Sequence, residues 1–320
     1  MNKCFFVLLL IFTVLSCGND DKVESEIAKL PLDVSIERFD LAFANASPQD
    51  LPKLKQAFPF MFSSKYEDDF WVAQMQDTLQ QEIQTETQKA FKSFTNETQD
   101  IVSLFKHLKY YFPEFNTPRV VTVASNVDYR NKVVVTDTIV VLPLANYLGD
   151  THYFYQGIQD YIRKNLKAEQ MVVDLAESYA KGFMFQQQRK TLLDELIYAG
   201  KQLYFKDMVI PFKTDAEKIG YSQEQIDWAK ANEENIWRYF VDKELLFSTN
   251  SKLPSRFIND APFSKFYLEE IDNESPGRIG QYIGWQIVRA YMENNNVTFK
   301  QMLTKSTKEI FDNAKFKPRR

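Results

Sequence analysis

Arg119-Val-Val-Thr-Val-Ala124, closely followed by Lys132-Val-Val-Val-Thr-Asp-Thr-Ile-Val-Val-Leu142, is the stretch that separates an α+β reading of this chain from an all-helical one. Branching at Cβ stiffens Val, Ile and Thr and suits them to a pleated surface. Asn131 and its neighbours can turn the chain between the two runs. A small sheet or hairpin is therefore expected here. Upstream, Val34-Ser-Ile-Glu-Arg-Phe39 alternates apolar and polar residues and could join it as a further strand.

Around this core the periodicity is helical. Ser47-Pro48 opens a helix with Leu51, Leu54 and Phe58 on one face. Helical spacing runs from Tyr66 to Phe94 and from Asp100 to Tyr111. Beyond Tyr153 it covers Glu169–Met184, Lys190–Phe205, Ser222–Leu246, Arg278–Asn294 and Thr298–Asn313. Ser222 and Gln225 form a capping box, and Trp237, Phe240, Val241 and Leu245 mark the apolar face of that helix. The expected class is α+β and predominantly helical, with a small sheet from the N-terminal half under a large helical layer.

The most distinctive helix is Ser275-Pro-Gly-Arg-Ile-Gly-Gln-Tyr-Ile-Gly-Trp-Gln-Ile-Val-Arg-Ala-Tyr-Met292. Gly280 and Gly284 share one face beside Trp285, and a glycine inside a helix costs about 1 kcal/mol relative to alanine. Close approach of another backbone is the expected compensation, with a ligand-lining face as the alternative. Arg278 starts the helix against its macrodipole, which calls for a dedicated partner.

Composition narrows the function classes. Hydrophobic residues make up 44% of the chain, and 27 Phe and 16 Tyr stand against only 9 Gly, enough for a large core and too little glycine for a turn-rich all-β fold. A net charge of −4 without a long basic run argues against nucleic acid as a partner. No linker or repeat divides the body, so one domain is expected from 30 to 320.

The N-terminus, Met-Asn-Lys-Cys-Phe-Phe-Val-Leu-Leu-Leu-Ile-Phe-Thr-Val-Leu-Ser-Cys17, has one cation, a short apolar run and a cysteine at its end. Residues 1–16 read as a secretory signal peptide too short to span a bilayer well. The ending resembles a bacterial lipoprotein box, which implies cleavage before Cys17 and acylation of its thiol. Cys17 would then be the only cysteine of the mature chain. Residues 17–29 read as a polar, flexible lipidated tether, and Gly18 after the cysteine favours the outer membrane by resemblance to lipoprotein sorting rules.

Residues able to carry catalysis are sparse. The two histidines, His107 and His152, lack the partners of a metal site, and no elbow for a nucleophilic serine or phosphate-binding loop is present. The carboxylate pairs Asp194-Glu195 and Glu269-Glu270 sit on adjacent helix positions, which point about 100° apart. No cofactor is expected.

Several segments resemble one family. They are Ile36-Glu-Arg-Phe-Asp40, Asn146-Tyr-Leu-Gly149, Leu192-Leu-Asp-Glu-Leu-Ile-Tyr-Ala-Gly-Lys-Gln-Leu-Tyr204, Asn232-Glu-Glu-Asn-Ile-Trp237, Asp242-Lys-Glu-Leu-Leu246 and Glu274-Ser-Pro-Gly-Arg-Ile-Gly280 through Gly284-Trp-Gln-Ile-Val-Arg289. In this order they are similar to the gliding motility lipoprotein family GldB of Bacteroidetes. The resemblance implies an outer-membrane lipoprotein that acts with other gliding proteins and the type IX secretion machinery, without a known chemical activity. A more distant likeness to predicted zinc peptidases implies a degenerate zincin-like scaffold. Its H-E-x-x-H positions fall on Ala176-Glu177-Ser178-Tyr179-Ala180 and its third ligand on Ala199, so only the general base, Glu177, is kept. A shifted frame over Asp194–Tyr198 also lacks both histidines; Glu177, Glu195 and Tyr198 are thus the candidates for a vestigial cleft. The expected role is non-enzymatic; a residual hydrolase, or a glycan- or peptide-binding surface lipoprotein, is the alternative.

Overall fold

The computed structural model describes residues 20–184 and 189–320; the expected signal peptide and Cys17 lie outside them. The chain starts with α1 (Asp20–Ala28), β1 (Ile36–Glu37), α2 (Phe39–Ala44) and α3 (Leu51–Ala57). Then come α4 (Asp68–Gln76), α5 (Thr78–Ala90) and α6 (Thr95–Tyr111). The β-rich stretch forms β2 (Arg119–Val123), β3 (Val134–Val135) and β4 (Ile139–Pro143). Helices follow: α7 (Asp160–Arg163), α8 (Met171–Phe183), α9 (Leu192–Val209), α10 (Asp215–Ile219) and α11 (Gln223–Ala231). The last are α12 (Glu233–Asp242), α13 (Leu253–Phe257), α14 (Glu269–Glu274), α15 (Ile279–Asn294), α16 (Phe299–Thr304) and α17 (Thr307–Ala314). The protein is predominantly helical α+β with one small mixed sheet, as expected.

The sheet order is β1-β2-β4-β3. β1 and β4 flank β2 in parallel, with Ile36 opposite Val120 and Arg119 opposite Ile139. The expected strand over Lys132–Leu142 is in fact a hairpin, because the Thr136 hydroxyl takes the Ile139 N–H at 3.0 Å and turns the chain between β3 and β4. One face of the sheet, with Val120, Val140 and Leu142, joins the main helical core. The other, with Val121 and Val123, packs against Phe39 in a smaller aromatic cluster.

Three long helical runs are broken by local polar caps. Asp77 accepts from the Gln80 N–H at 2.8 Å and separates α4 from α5. α11 ends at Asn232, whose side-chain amide donates to the Trp228 carbonyl at 3.0 Å. Ser306 caps α17 through the Glu309 N–H and parts it from α16. The Ser222–Gln225 capping box forms as read. On the face it introduces, Phe240 is fully buried, but Val241 is 48% exposed because the new start at Asn232 sets the register of α12.

The polar run expected to be a flexible tether differs most. From Asp20 onward it is α1, docked on α6 by buried Ile27, by Glu24 against His107 Nε2 at 3.2 Å and by Lys106 Nζ donating to the Ala28 carbonyl at 2.6 Å. An apolar residue and two carboxylates (the second is Glu26, facing Tyr110) at helical spacing give the segment a docking face.

α9 and α15 cross at the centre of the helical layer. A Cβ on Gly284 would collide with the backbone of Leu196, and one on Gly200 with the backbone of Gly284. Gly280 meets the Phe257 carbonyl in the same manner, its Cβ position lying 2.9 Å from that oxygen. Both glycines of α15 therefore serve close backbone packing, and Trp285 beside them is completely buried.

Candidate functional site

Beyond the crossing the same two helices part, and a polar cleft of about 620 Å³ opens between them and the β2–β3 connection. A second lobe of about 340 Å³ shares Glu177, Lys206, Asp260 and Arg278 with the first. α8 supplies its floor. Asp174, Glu177, Ser178 and Lys181 recur at helical spacing and face the cleft, while Leu175, Ala176 and Ala180 face the core. The short helix α10 adds Lys218, and the β2–β3 connection adds Arg130 and Lys132.

Glu177 is the hub of the floor. Its Oε2 takes Lys206 Nζ at 3.0 Å and its Oε1 takes Lys181 Nζ at 2.9 Å. The Lys206 ammonium above all, with Lys181, holds the Glu177 carboxyl well below the usual carboxylate range, against burial acting the other way. Such a carboxylate is a weak proton acceptor near neutral pH. Lys206 is only 5% exposed and also donates to the Lys218 carbonyl at 3.0 Å. One turn away, burial raises the Asp174 carboxyl, with its partner Lys132 opposing. The Tyr147 hydroxyl donates to Asp174 Oδ2 at 3.1 Å.

Arg278 lines both lobes. It caps α15 with φ 61°, a left-handed conformation that costs a non-glycine residue about 1 kcal/mol. Its guanidinium donates to the Gly220 carbonyl at 3.1 Å and faces Asp260 at 3.3 Å, the dedicated partners that its position called for. Lys164 lies nearby; burial, reinforced by the Arg278 charge, pushes its ammonium down to about 8.

Next to the cleft a part-buried rack of charges ties the two helices together. Asp207 of α9 accepts from Lys218 Nζ at 3.0 Å, from Trp285 Nε1 at 2.8 Å and from Arg289 Nε at 2.8 Å. Arg289 stacks 3.8 Å over the Trp285 ring and reaches Asp215 with its outer nitrogens. Trp285 thus has a positioning and packing role, with no surface left for an outside partner.

Of the residues singled out from the sequence, Glu177 and Arg278 line the cleft, and both are shared by its two lobes. Glu195 and Tyr198 do not line it. Arg189 pairs with Glu195 at 3.1 Å and covers the Tyr198 ring at 4.1 Å, near the start of α9. Asp194 is spent on the capping box of that helix. Ala176, Ala180 and Ala199, at the supposed ligand positions, are buried. His107 and His152 lie apart, held by Glu24 and Glu86. Among the described residues no group of three or more His, Cys, Asp or Glu is placed to hold a metal ion. Sequence reading missed Lys206 and Lys218, although a lysine at core register, three residues from both Leu203 and Val209, was a legible signal for the first.

No helix among the described residues is long and apolar enough to cross a membrane. No curated protein and no solved structure matches the chain. The sequence profile of the gliding motility protein GldB matches residues 20–318, from the first turn of α1 to the C-terminal tail. The chain belongs to the gliding motility protein GldB family.

Proposed function

We propose that this protein is a non-enzymatic lipoprotein of the gliding apparatus, held at the outer membrane by acyl chains on Cys17 and working beside the type IX secretion machinery. The observation that carries the non-enzymatic part is the double lysine pairing of Glu177. A general base must be free to take a proton near its operating pH, and this carboxylate is bound to two ammonium groups. On this reading the cleft is a peptidase-like groove put to structural or binding use. Placement supports the same role. Asp20 follows Cys17 by three residues, a reach of at most about 10 Å, so a lipid there would hold α1 and the body against the bilayer.

The test is crosslinking in intact cells, followed by identification of captured proteins, with a Cys17→Ala variant alongside. Recovery of gliding or secretion components by the wild type, and release of the variant from the membrane fraction with loss of movement, are expected. A variant that stays in the membrane and still supports gliding defeats the anchoring argument. Hydrolysis of peptide or ester substrates that disappears on Glu177→Gln would replace the reading with a hydrolase.

The glycan-binding alternative loses its first motive, because most of the aromatic residues build the core. Trp285, Tyr282, Tyr291, Phe205 and Phe240 are among the largest fully buried side chains.

A further inference from the structure

The charge of the cleft runs opposite to the charge of the molecule. The chain carries −4 overall, yet the larger lobe is lined by six cationic side chains, Arg130, Lys132, Lys181, Lys206, Lys218 and Arg278, against the three carboxylates of Asp174, Glu177 and Asp260. Lys206 and Lys218 are nearly sealed from water, at 5% and 7% exposure, and the half-buried Lys164 adds its charge near Arg278. Even with Asp207 counted as the partner of Lys218, cations exceed carboxylates here, because Glu177 serves both Lys181 and Lys206, and an anion entering the part-dry recess would complete the balance. A cleft with this balance focuses a positive potential on whatever occupies it.

The size and the remaining lining say what kind of anion fits. A volume of about 620 Å³ is small-molecule sized, far larger than a bare ion requires. Between the charged groups lie Asn131, Asn165, Gln170 and Ser178, uncharged groups that both donate and accept hydrogen bonds. That mixture suits hydroxyls arrayed around an anionic substituent. We infer that the cleft is a binding site for a sugar bearing a phosphate or carboxylate group, with Arg278 and the floor residue Lys181 engaging the charge. Asp260, 63% exposed beside Arg278, competes with the ligand for the guanidinium. The site goes beyond the anchoring role proposed above, and it stands whether or not that role is correct.

Calorimetric titration of the full-length protein in an uncharged detergent tests it, at low ionic strength, with glucose 6-phosphate, glucuronate, inorganic phosphate and glucose. Saturable binding of one charged sugar is expected, at least about tenfold tighter than glucose and weakening as salt is added. Stronger binding of glucose 6-phosphate assigns the anion as phosphate, and stronger binding of glucuronate as carboxylate; inorganic phosphate alone should bind more weakly than the sugar phosphate. Lys181→Gln should weaken the charged sugar about fivefold and Asp260→Asn should tighten it about threefold, as expected of single partly screened charges. Both side chains are more than half exposed, so neither change threatens the fold. Opposite shifts cannot come from unfolding. No saturable binding of either charged sugar, affinity equal to that of glucose, or identical affinities in the two variants and the wild type overturns the site.

Discussion

α9 and α15 meet twice, in opposite ways. At Gly200 and Gly284 their backbones touch, with no side chain between them. Six residues after Gly200 and six before Gly284, at Lys206 and Arg278, they diverge around a cleft filled with charge. The first contact is apolar and admits no added atom; the second is polar, and its cations outnumber its carboxylates. One pair of helices thus supplies both a rigid pivot and an open recess. The precision of the second depends on the first, because the crossing fixes how far apart the cleft walls stand.

Four substitutions would break or sharpen this contrast. The largest effect is expected at the pivot. Gly284→Ala drives a Cβ into the Leu196 backbone, which cannot rotate away as a side chain could. Overpacking of this kind should cost about 3 kcal/mol or more. Calorimetry should show Tm falling by roughly 6 °C or further, or the protein should fail to accumulate. An unchanged Tm would mean that the helices are not in backbone contact.

Second comes the rack between pivot and cleft. Asp207→Asn keeps the shape but removes the charge that serves Lys218 and Arg289, and it leaves both cations under-compensated. Loss of about 3 kcal/mol in urea unfolding is expected, as for a broken buried ion pair. The equilibrium m-value should not change.

Third is the floor of the cleft. Glu177→Gln leaves Lys206 without its carboxylate, at about 2 kcal/mol near pH 7, below a fully buried pair because Glu177 is partly exposed. Its effect should depend on pH. The folded-state carboxyl lies below its ordinary value of 4.5, so the unfolded chain takes up the proton first as pH falls. The stability it contributes is complete above about pH 5.5 and is lost as pH drops through 4.5 and below. Tm measured between pH 7 and pH 3 should therefore converge for the wild type and the variant at the acid end. Parallel curves would show that Glu177 is not held by its lysines.

The smallest effect is a control of opposite sign. Gly182, near the end of α8, has open space where a Cβ would go. Gly182→Ala should stabilise by about 0.5–1 kcal/mol, since the helix gains propensity without a clash. A loss there would remove the distinction between glycines that pack and glycines that do not.

Much of the pivot was legible in the sequence and little of the cleft was. Two glycines in one helix are costly, so a close approach could be inferred from α15 alone. Its partner, Gly200, stands in Tyr-Ala-Gly-Lys and gives no periodic signal. Glu177 and Arg278 were identified for separate reasons, one by resemblance and one by its position at a helix start. Their meeting in a shared cleft joins residues about a hundred positions apart. The helix breaks at Asn232 and before Ser306 were missed because apolar periodicity continues through them, while short-range hydrogen bonds decide where each helix ends.

The sequence by itself determined the helical class, the presence of a small sheet, the close packing of α15 and, through the ordered blocks it shares with the gliding motility family, the membership of the chain. These properties rest on local periodicity or on collinear motifs, both of which are written along the chain. Only the tertiary structure decided that the β-rich stretch folds as a mixed sheet with a parallel centre, and that the polar segment before residue 29 docks as a helix. It also decided that lysines scattered over α8, α9 and α10 converge on one carboxylate-poor recess. Charge adds up by distance in space, and distance in space is set by the helix crossing, which no local pattern of residues encodes.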